Sequence, residues 1–231
     1  MKYKGGKLKL HNKTFESAYI CLEGLKGAGK TTLFNLLVSR LKETDIDFST
    51  VSPTRSSGND YFVERLFLKF PSLKNRRFAR IFLYAHRSNY ASENADWNRR
   101  LILGERSLTT SYATKWSESS FLTWLNIGII NLLENKIKTP DYVIYIDVPH
   151  DILRDRIKKR DKERDMDDTD TRLKQMEKAY FQMMDNCKIK RISNVKWVKI
   201  SGIGDPETIA DKVYELVNQL AAVETNDTNV V

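Results

Sequence analysis

The eight residues from Gly24 to Thr31 restrict the fold of this chain more than any other stretch. Gly24, Gly29, Lys30 and Thr31 satisfy G-x-x-x-x-G-K-[ST], a loop whose glycines let the backbone close around phosphate oxygens with its N–H groups turned inward. The bare pattern arises by chance in roughly one chain per hundred of this length, so its neighbours decide its meaning. Before it, the apolar run Ala18 to Leu22 predicts a buried strand. After it, Leu33, Leu36, Leu37 and Leu41 recur at helical spacing. Strand, glycine loop and helix in that order build an anion site at a helix N-terminus. Lys30 is expected to reach the β- and γ-phosphates of a nucleotide, and the Thr31 hydroxyl to ligate Mg²⁺.

The same alternation continues along the chain. Phe48 to Ser52 reads as a second strand stopped by Pro53. Helices are expected over residues 61–69 and 75–99, with Pro71 between them. Leu101 to Leu103 is a short strand that delivers Gly104, Glu105 and Arg106 at its C-terminal end. A helix over 120–135 precedes the clearest central strand, Tyr142 to Ile146, which leads to Asp147 and Pro149. Helices over 151–160 and 170–184 flank an intensely charged connector, and Val195 to Ile200 is the last strand. Asp205 is placed to cap a final helix with Pro206 at its first position. Strands alternating with helices predict an α/β fold, a parallel sheet covered on both faces in a single domain.

Composition narrows the setting. With 231 residues, 41% apolar and 30% charged, the chain suits one globular domain. The best apolar run, Phe121 to Leu133, is too short to span a membrane and is broken by Thr123, Asn126 and Asn131. Lys2, Lys4, Lys7 and Lys9 are followed by no apolar core, so the N-terminus is not read as a secretory signal. Cys21 and Cys187 make neither a zinc spacing nor a disulfide framework, which suits a reducing, cytoplasmic setting. The net charge of +9 admits nucleic acid as a partner. Its scattered clusters, such as Arg76-Arg77-Arg80 and Arg154 to Arg164, favour solvated faces instead. Asn135-Lys136 is followed by Ile137 and Lys138, so the N-K-x-D guanine reader of a GTPase is missing. Asp147, at a strand end, leaves a Walker-B ATPase open, with a structural carboxylate preferred.

The segment Tyr19 to Thr32 resembles the opening of thymidylate kinases. The resemblance continues in order through Pro53-Thr54-Arg55, Leu83 to Arg87, Gly104-Glu105-Arg106, Pro140 to Pro149 and Arg156 to Arg160. It implies a P-loop NTPase fold, three layers α/β/α with a five-stranded parallel sheet and a helical lid. It also implies ATP and Mg²⁺ as cofactors, a nucleoside monophosphate (dTMP first) as substrate, and a homodimer. On that resemblance Gly24, Lys26, Gly27, Ala28, Gly29, Lys30, Thr31 and Thr32 hold the ATP, joined by Arg156 and Arg160 of the lid. Arg55 matches an arginine that holds the acceptor's phosphate, and Arg87 one that hydrogen-bonds the pyrimidine, with Leu83 at or near the position of a ring that stacks on the base and Tyr84 or Phe82 as its substitutes. Arg106 sits beside the phosphates, and Glu105 joins Thr31 at the metal; Lys30, Glu105, Arg106 and Arg160 are the implied catalytic set. The kinase domain is bounded at 18–222 with its lid over about 154–170, between a basic extension (1–17) and a tail (223–231).

The match has departures. Lys26 stands where the family carries an acidic residue that contacts the acceptor sugar, and an ammonium cannot accept a hydroxyl hydrogen bond. Glu105 replaces a preferred Asp. Glu105-Arg106-Ser107 also looks like the Glu-Arg-Ser motif of deoxynucleoside kinases, with Thr110 where that family often has Ser. Against this, Thr54 and Arg55 stand where that family needs a glutamate base. A deoxynucleoside kinase, or a nucleotide-binding protein associated with nucleic acid, stays open as the alternative.

Overall fold

Seven consecutive buried residues, Ala18–Gly24, form strand β1 at the centre of the molecule. Its first five residues, Ala18 to Leu22, are the unbroken apolar run that a strand needs when both its edges and both its faces are covered. In the computed structural model, whose described residues are 17–54, 61–160 and 169–226, β1 pairs in parallel with β3 (Leu101–Glu105) and β4 (Tyr142–Asp147). The outer strands are β2 (Phe48–Val51) and β5 (Lys196–Ser201), giving a five-stranded parallel sheet in the order β2-β3-β1-β4-β5. Ile20, Leu22, Leu103 and Ile144 are wholly buried in it, each side chain contributing about 1.5–3 kcal/mol by leaving water.

Among the described residues eight α-helices flank the sheet: α1 (Lys30–Lys42), α2 (Phe62–Lys69), α3 (Arg77–Glu93), α4 (Leu108–Thr114), α5 (Ser120–Leu133), α6 (His150–Arg160), α7 (Asp170–Asp185) and α8 (Pro206–Asn226). Helix α1 packs on α8, and Arg40 clips the two together through Glu207 and Asp211, each at 2.9 Å. Helix α4 packs against α5 and α7, and α3 against α5. The result is the three-layer P-loop α/β architecture expected from the sequence.

Two local differences have clear causes. The helix expected over 75–99 starts at Arg77, after a 3-10 turn over Pro71–Asn75, and ends at Glu93. Beyond Glu93, side chains compete for the backbone. Asn94 Nδ2 donates to Tyr90 O at 2.8 Å, and the Asp96 carboxylate accepts from Asn98 N at 3.1 Å. Trp97 turns back, its Nε1 donating to Ser92 O at 2.6 Å and its ring edge-on to Tyr19. Helix α4 was not anticipated at all. The residues 1–16, Arg55, the lid connector 161–168 with Arg164, and the tail from 227 lie outside the described residues. Among the described residues no helix is long and apolar enough to cross a membrane.

Candidate active site

The strand order locates the site before any side chain is considered. From β1 the sheet grows to one side through β3 and β2, then to the other through β4 and β5. Open α/β sheets bind ligands outside the carboxyl ends of the strands at such a reversal. Here β1 runs into the glycine loop and β3 ends at Glu105, with Leu22 and Glu105 in register.

The loop's backbone is shaped for an anion. Gly24 has φ 145°, and a Cβ there would lie 2.7 Å from Ile146 O, so no side chain fits. Gly29, at φ 91°, caps α1 and has nothing within 4 Å of where its Cβ would be. Helix α1 has no side-chain cap and no acidic residue in its first turn, leaving its positive end for a phosphate. Lys30 is buried and donates to Gly24 O at 2.8 Å and Leu25 O at 2.7 Å. The Thr31 hydroxyl donates to Glu105 Oε1 at 2.6 Å. A hydroxyl and a carboxylate side by side are hard oxygen donors, and Mg²⁺ is held by one or two such groups plus substrate phosphates. No cluster of three His, Cys, Asp or Glu offers a rival metal site among the described residues. The donor set fits Mg²⁺.

Arg106, half-buried, follows Glu105 with φ 65°, the one described non-glycine residue at positive φ. Such a conformation costs about 1–3 kcal/mol and clusters at functional sites. Arg156 reaches from α6 to the loop, its Nη1 3.4 Å from Gly27 O and its Nη2 3.1 Å from Gly202 O. It walls a pocket of about 290 Å³ that Ala28, Gly29, Thr32 and Pro206 also line. Arg156 therefore stands at the flank of the loop. Arg160 is the last residue of α6, and its side chain lies outside the described residues. Half-buried Lys26 completes the loop.

On the acceptor side, Arg87 Nη2 donates to Thr54 O at 2.8 Å, beside the chain that leads to Arg55. Its Nη1 is 3.3 Å from Glu64 Oε1, and the guanidinium lies 4.6 Å from the Tyr84 ring centroid. Tyr84 also meets Phe67 edge-on, so its ring serves as a platform for Arg87. Leu83 is half-buried next to it, and Phe82 is exposed. Asp147 pairs with Lys199 at 3.0 Å, as a structural carboxylate would.

Sequence reasoning missed Glu23. Its carboxylate is wholly buried and accepts five hydrogen bonds: from Ser107 N (2.7 Å), Ser107 Oγ (2.9 Å), Thr109 Oγ1 (2.7 Å), Thr110 Oγ1 (2.6 Å) and Tyr180 OH (2.9 Å). Burial, and then the Glu23 charge, hold the Tyr180 phenol well above its usual range, so it stays a donor. The available signal was a charged residue at the end of an apolar strand, matched by a run of hydroxyls at 107–111.

A family model described as thymidylate kinase matches residues 22–199. The chain belongs to the thymidylate kinase family. The thymidylate kinase of Fervidobacterium nodosum is 26% identical over 205 residues, covering 87% of this chain and 98% of its own length. A thymidylate kinase of Staphylococcus epidermidis is 26% identical over 212 residues, covering 87% and 97%. Membership of the thymidylate kinase family makes the chain a nucleoside-monophosphate kinase, a phosphotransferase that binds nucleotide through its P-loop. It does not favour the deoxynucleoside-kinase or nucleic-acid alternatives. The Glu105-Arg106-Ser107 likeness has a structural reading, because both the N–H and the hydroxyl of Ser107 are spent on Glu23.

Proposed function

We propose that the protein transfers the γ-phosphate of ATP to dTMP, giving dTDP and ADP, with Mg²⁺ at Thr31 and Glu105. The observation that carries this is the 2.6 Å Thr31–Glu105 bond beside Lys30, where the carboxyl ends of β1 and β3 meet. Phosphoryl transfer asks little covalent work of the protein and much positioned positive charge. Lys30 and the loop N–H groups hold the donor phosphates, and Arg106 steadies the charge that develops during transfer. Thr31 and Glu105 would hold Mg²⁺, which would supply neutralisation of the donor's phosphate charge. The 290 Å³ pocket beside Arg156 takes the adenine end of the donor. Arg160, at the end of α6, is assigned to the transferring group. Arg55 and Arg87 hold the acceptor, with Leu83 near the base, and Lys26 is the residue that sets the sugar's surroundings.

The protein is further proposed to be a homodimer. Leu68 of α2, Phe82 of α3 and Phe121, Trp124, Leu125 and Leu132 of α5 are exposed, Trp124 at 69% and Leu132 at 73%. Grouped apolar exposure of this kind marks an interface. Two free thiols support a reducing, cytoplasmic setting.

The test is ADP release from Mg²⁺-ATP across a panel of nucleosides and nucleoside monophosphates. Turnover with dTMP is expected. Turnover with a different monophosphate alone would overturn the acceptor and point to Lys26; turnover only with a nucleoside would overturn the kinase class.

A further inference from the structure

We infer that Glu23 is a positioning residue: its carboxylate pins the turn after β3 and helix α7 to β1, and so holds Arg106 in its left-handed conformation. This rests on the reading of Arg106 as a catalytic group.

The argument starts from cost. A carboxylate at the centre of a sheet is expensive unless every lone pair is satisfied. Glu23 meets that condition with five donors. An apolar side chain there would need none of them, so stability alone does not call for this arrangement. What it achieves is geometric. Both peptide groups flanking Arg106 are tied to β1: the Arg106 N–H donates to Leu22 O at 3.1 Å, and the Ser107 N–H donates to Glu23 Oε1 at 2.7 Å. Between two fixed peptide planes, φ and ψ of Arg106 have nowhere to relax. A strained residue persists only where its surroundings over-determine it, and Glu23 supplies half of that determination.

The donors also come from three separate places. Ser107 lies in the turn, Thr109 and Thr110 lie in the first turn of α4, and Tyr180 lies on α7. Ser107, Thr109 and Tyr180 are wholly buried and Thr110 nearly so. Glu23 therefore locks α4 and α7 to the strand that launches the phosphate loop. The hold on Arg106 needs an acceptor oxygen at position 23 for the Ser107 N–H. Gln would keep one amide oxygen for the Ser107 N–H, and the Thr110 and Tyr180 hydroxyls, which accept as well as donate, can turn to take its amide hydrogens; an apolar side chain removes every acceptor.

The decisive variant is Glu23→Leu, which leaves the Ser107 N–H without its acceptor. We expect kcat with dTMP to fall 100-fold or more while the ATP dissociation constant, measured by calorimetry, stays within threefold. In an Arg106→Ala background the same change should cost nothing further, because residues acting through one group are not additive. An equal loss of kcat in both backgrounds would overturn the inference. A crystal structure of Glu23→Leu supplies a readout independent of turnover. Arg106 should leave positive φ and the Ser107 N–H should swing off β1; an Arg106 still near φ 65° would overturn the inference. Should Glu23→Leu not fold, the double variant Tyr180→Phe/Thr110→Val removes both donors to Oε2. It should lower kcat about tenfold, again only with Arg106 present, and unchanged kcat would count against the clamp. A wild-type protein silent on the whole acceptor panel refutes the substrate assignment alone, and the crystal structure then decides the role of Glu23.

Discussion

Thr31 and Glu105 share one proton-mediated contact at 2.6 Å, and one of them is nearly inaccessible to water. Removing the hydroxyl leaves a buried carboxylate short of a donor and a metal short of a ligand. Thr31→Val should therefore raise the Mg²⁺ concentration for half-maximal activity about tenfold or more, with Thr31→Ser close to wild type. A metal titration of initial rates checks this. Lys30→Ala should lower kcat by roughly a thousandfold, as loss of a charge aimed at the transition state does, with the far-UV circular dichroism unchanged. Gly104 is constrained by packing inside the sheet. A Cβ there would meet Tyr19 Cε2 at 2.8 Å and Cys21 Sγ at 3.0 Å. Gly104→Ala should cost about 1–3 kcal/mol in urea unfolding, as overpacking of a core does.

At the scale of elements, α8 is the brace of α1, and its start is set by one side chain. Asp205 Oδ2 accepts from Thr208 N at 3.0 Å and Thr208 Oγ1 at 3.2 Å. Asp205→Ala should destabilise the fold by about 1 kcal/mol, read as a lower urea midpoint with the slope unchanged. That cap was legible in the sequence, as were β1, the loop, α1 and β4, because each carries a local signal: a period, a glycine pattern or a cap residue. Helix α4 was not legible. Seven residues make barely two turns, and Thr109, Thr110 and Ser111 have poor helix propensity. The helix exists because Ser107 caps it, donating nothing to its own turn but accepting from Thr109 N at 3.2 Å, and because Glu23 gathers its hydroxyls. The end of α3 was misplaced for the converse reason: Asn94 and Asp96 close the chain locally where the apolar spacing runs on. In the site, the loop residues, Glu105 and Arg106 were readable from motif and strand position. Glu23 was not, since its partners come from residues up to 157 positions away.

For the whole molecule, the buried phenols and thiol in and against the sheet set an alkaline limit. Burial raises Tyr19, Tyr180 and Tyr145 above the ordinary phenol value of 10.0, and Cys21 above the ordinary thiol value of 9.0. Below those values both folded and unfolded chains keep their protons, and these groups leave stability flat. Above them the unfolded chain ionises first and binds fewer protons than the folded one, so stability falls as pH rises. Each such group removes about 1.4 kcal/mol per pH unit once its unfolded form is ionised. Urea midpoints measured from pH 7 to 11 should hold level to about pH 8.5 and then drop with a slope of more than one proton. A flat profile to pH 11 would contradict the burial of this cluster.

The placement of the four tryptophans has a spectroscopic consequence. Trp97, Trp116 and Trp197 are half-buried, and only Trp124 stands out into water, on the apolar face of α5. None lines the pocket beside the glycine loop. Intrinsic emission should thus stay silent when nucleotide is added and move to shorter wavelength when a second copy covers α5, so that a dilution series, read by fluorescence with no label, separates association from catalysis.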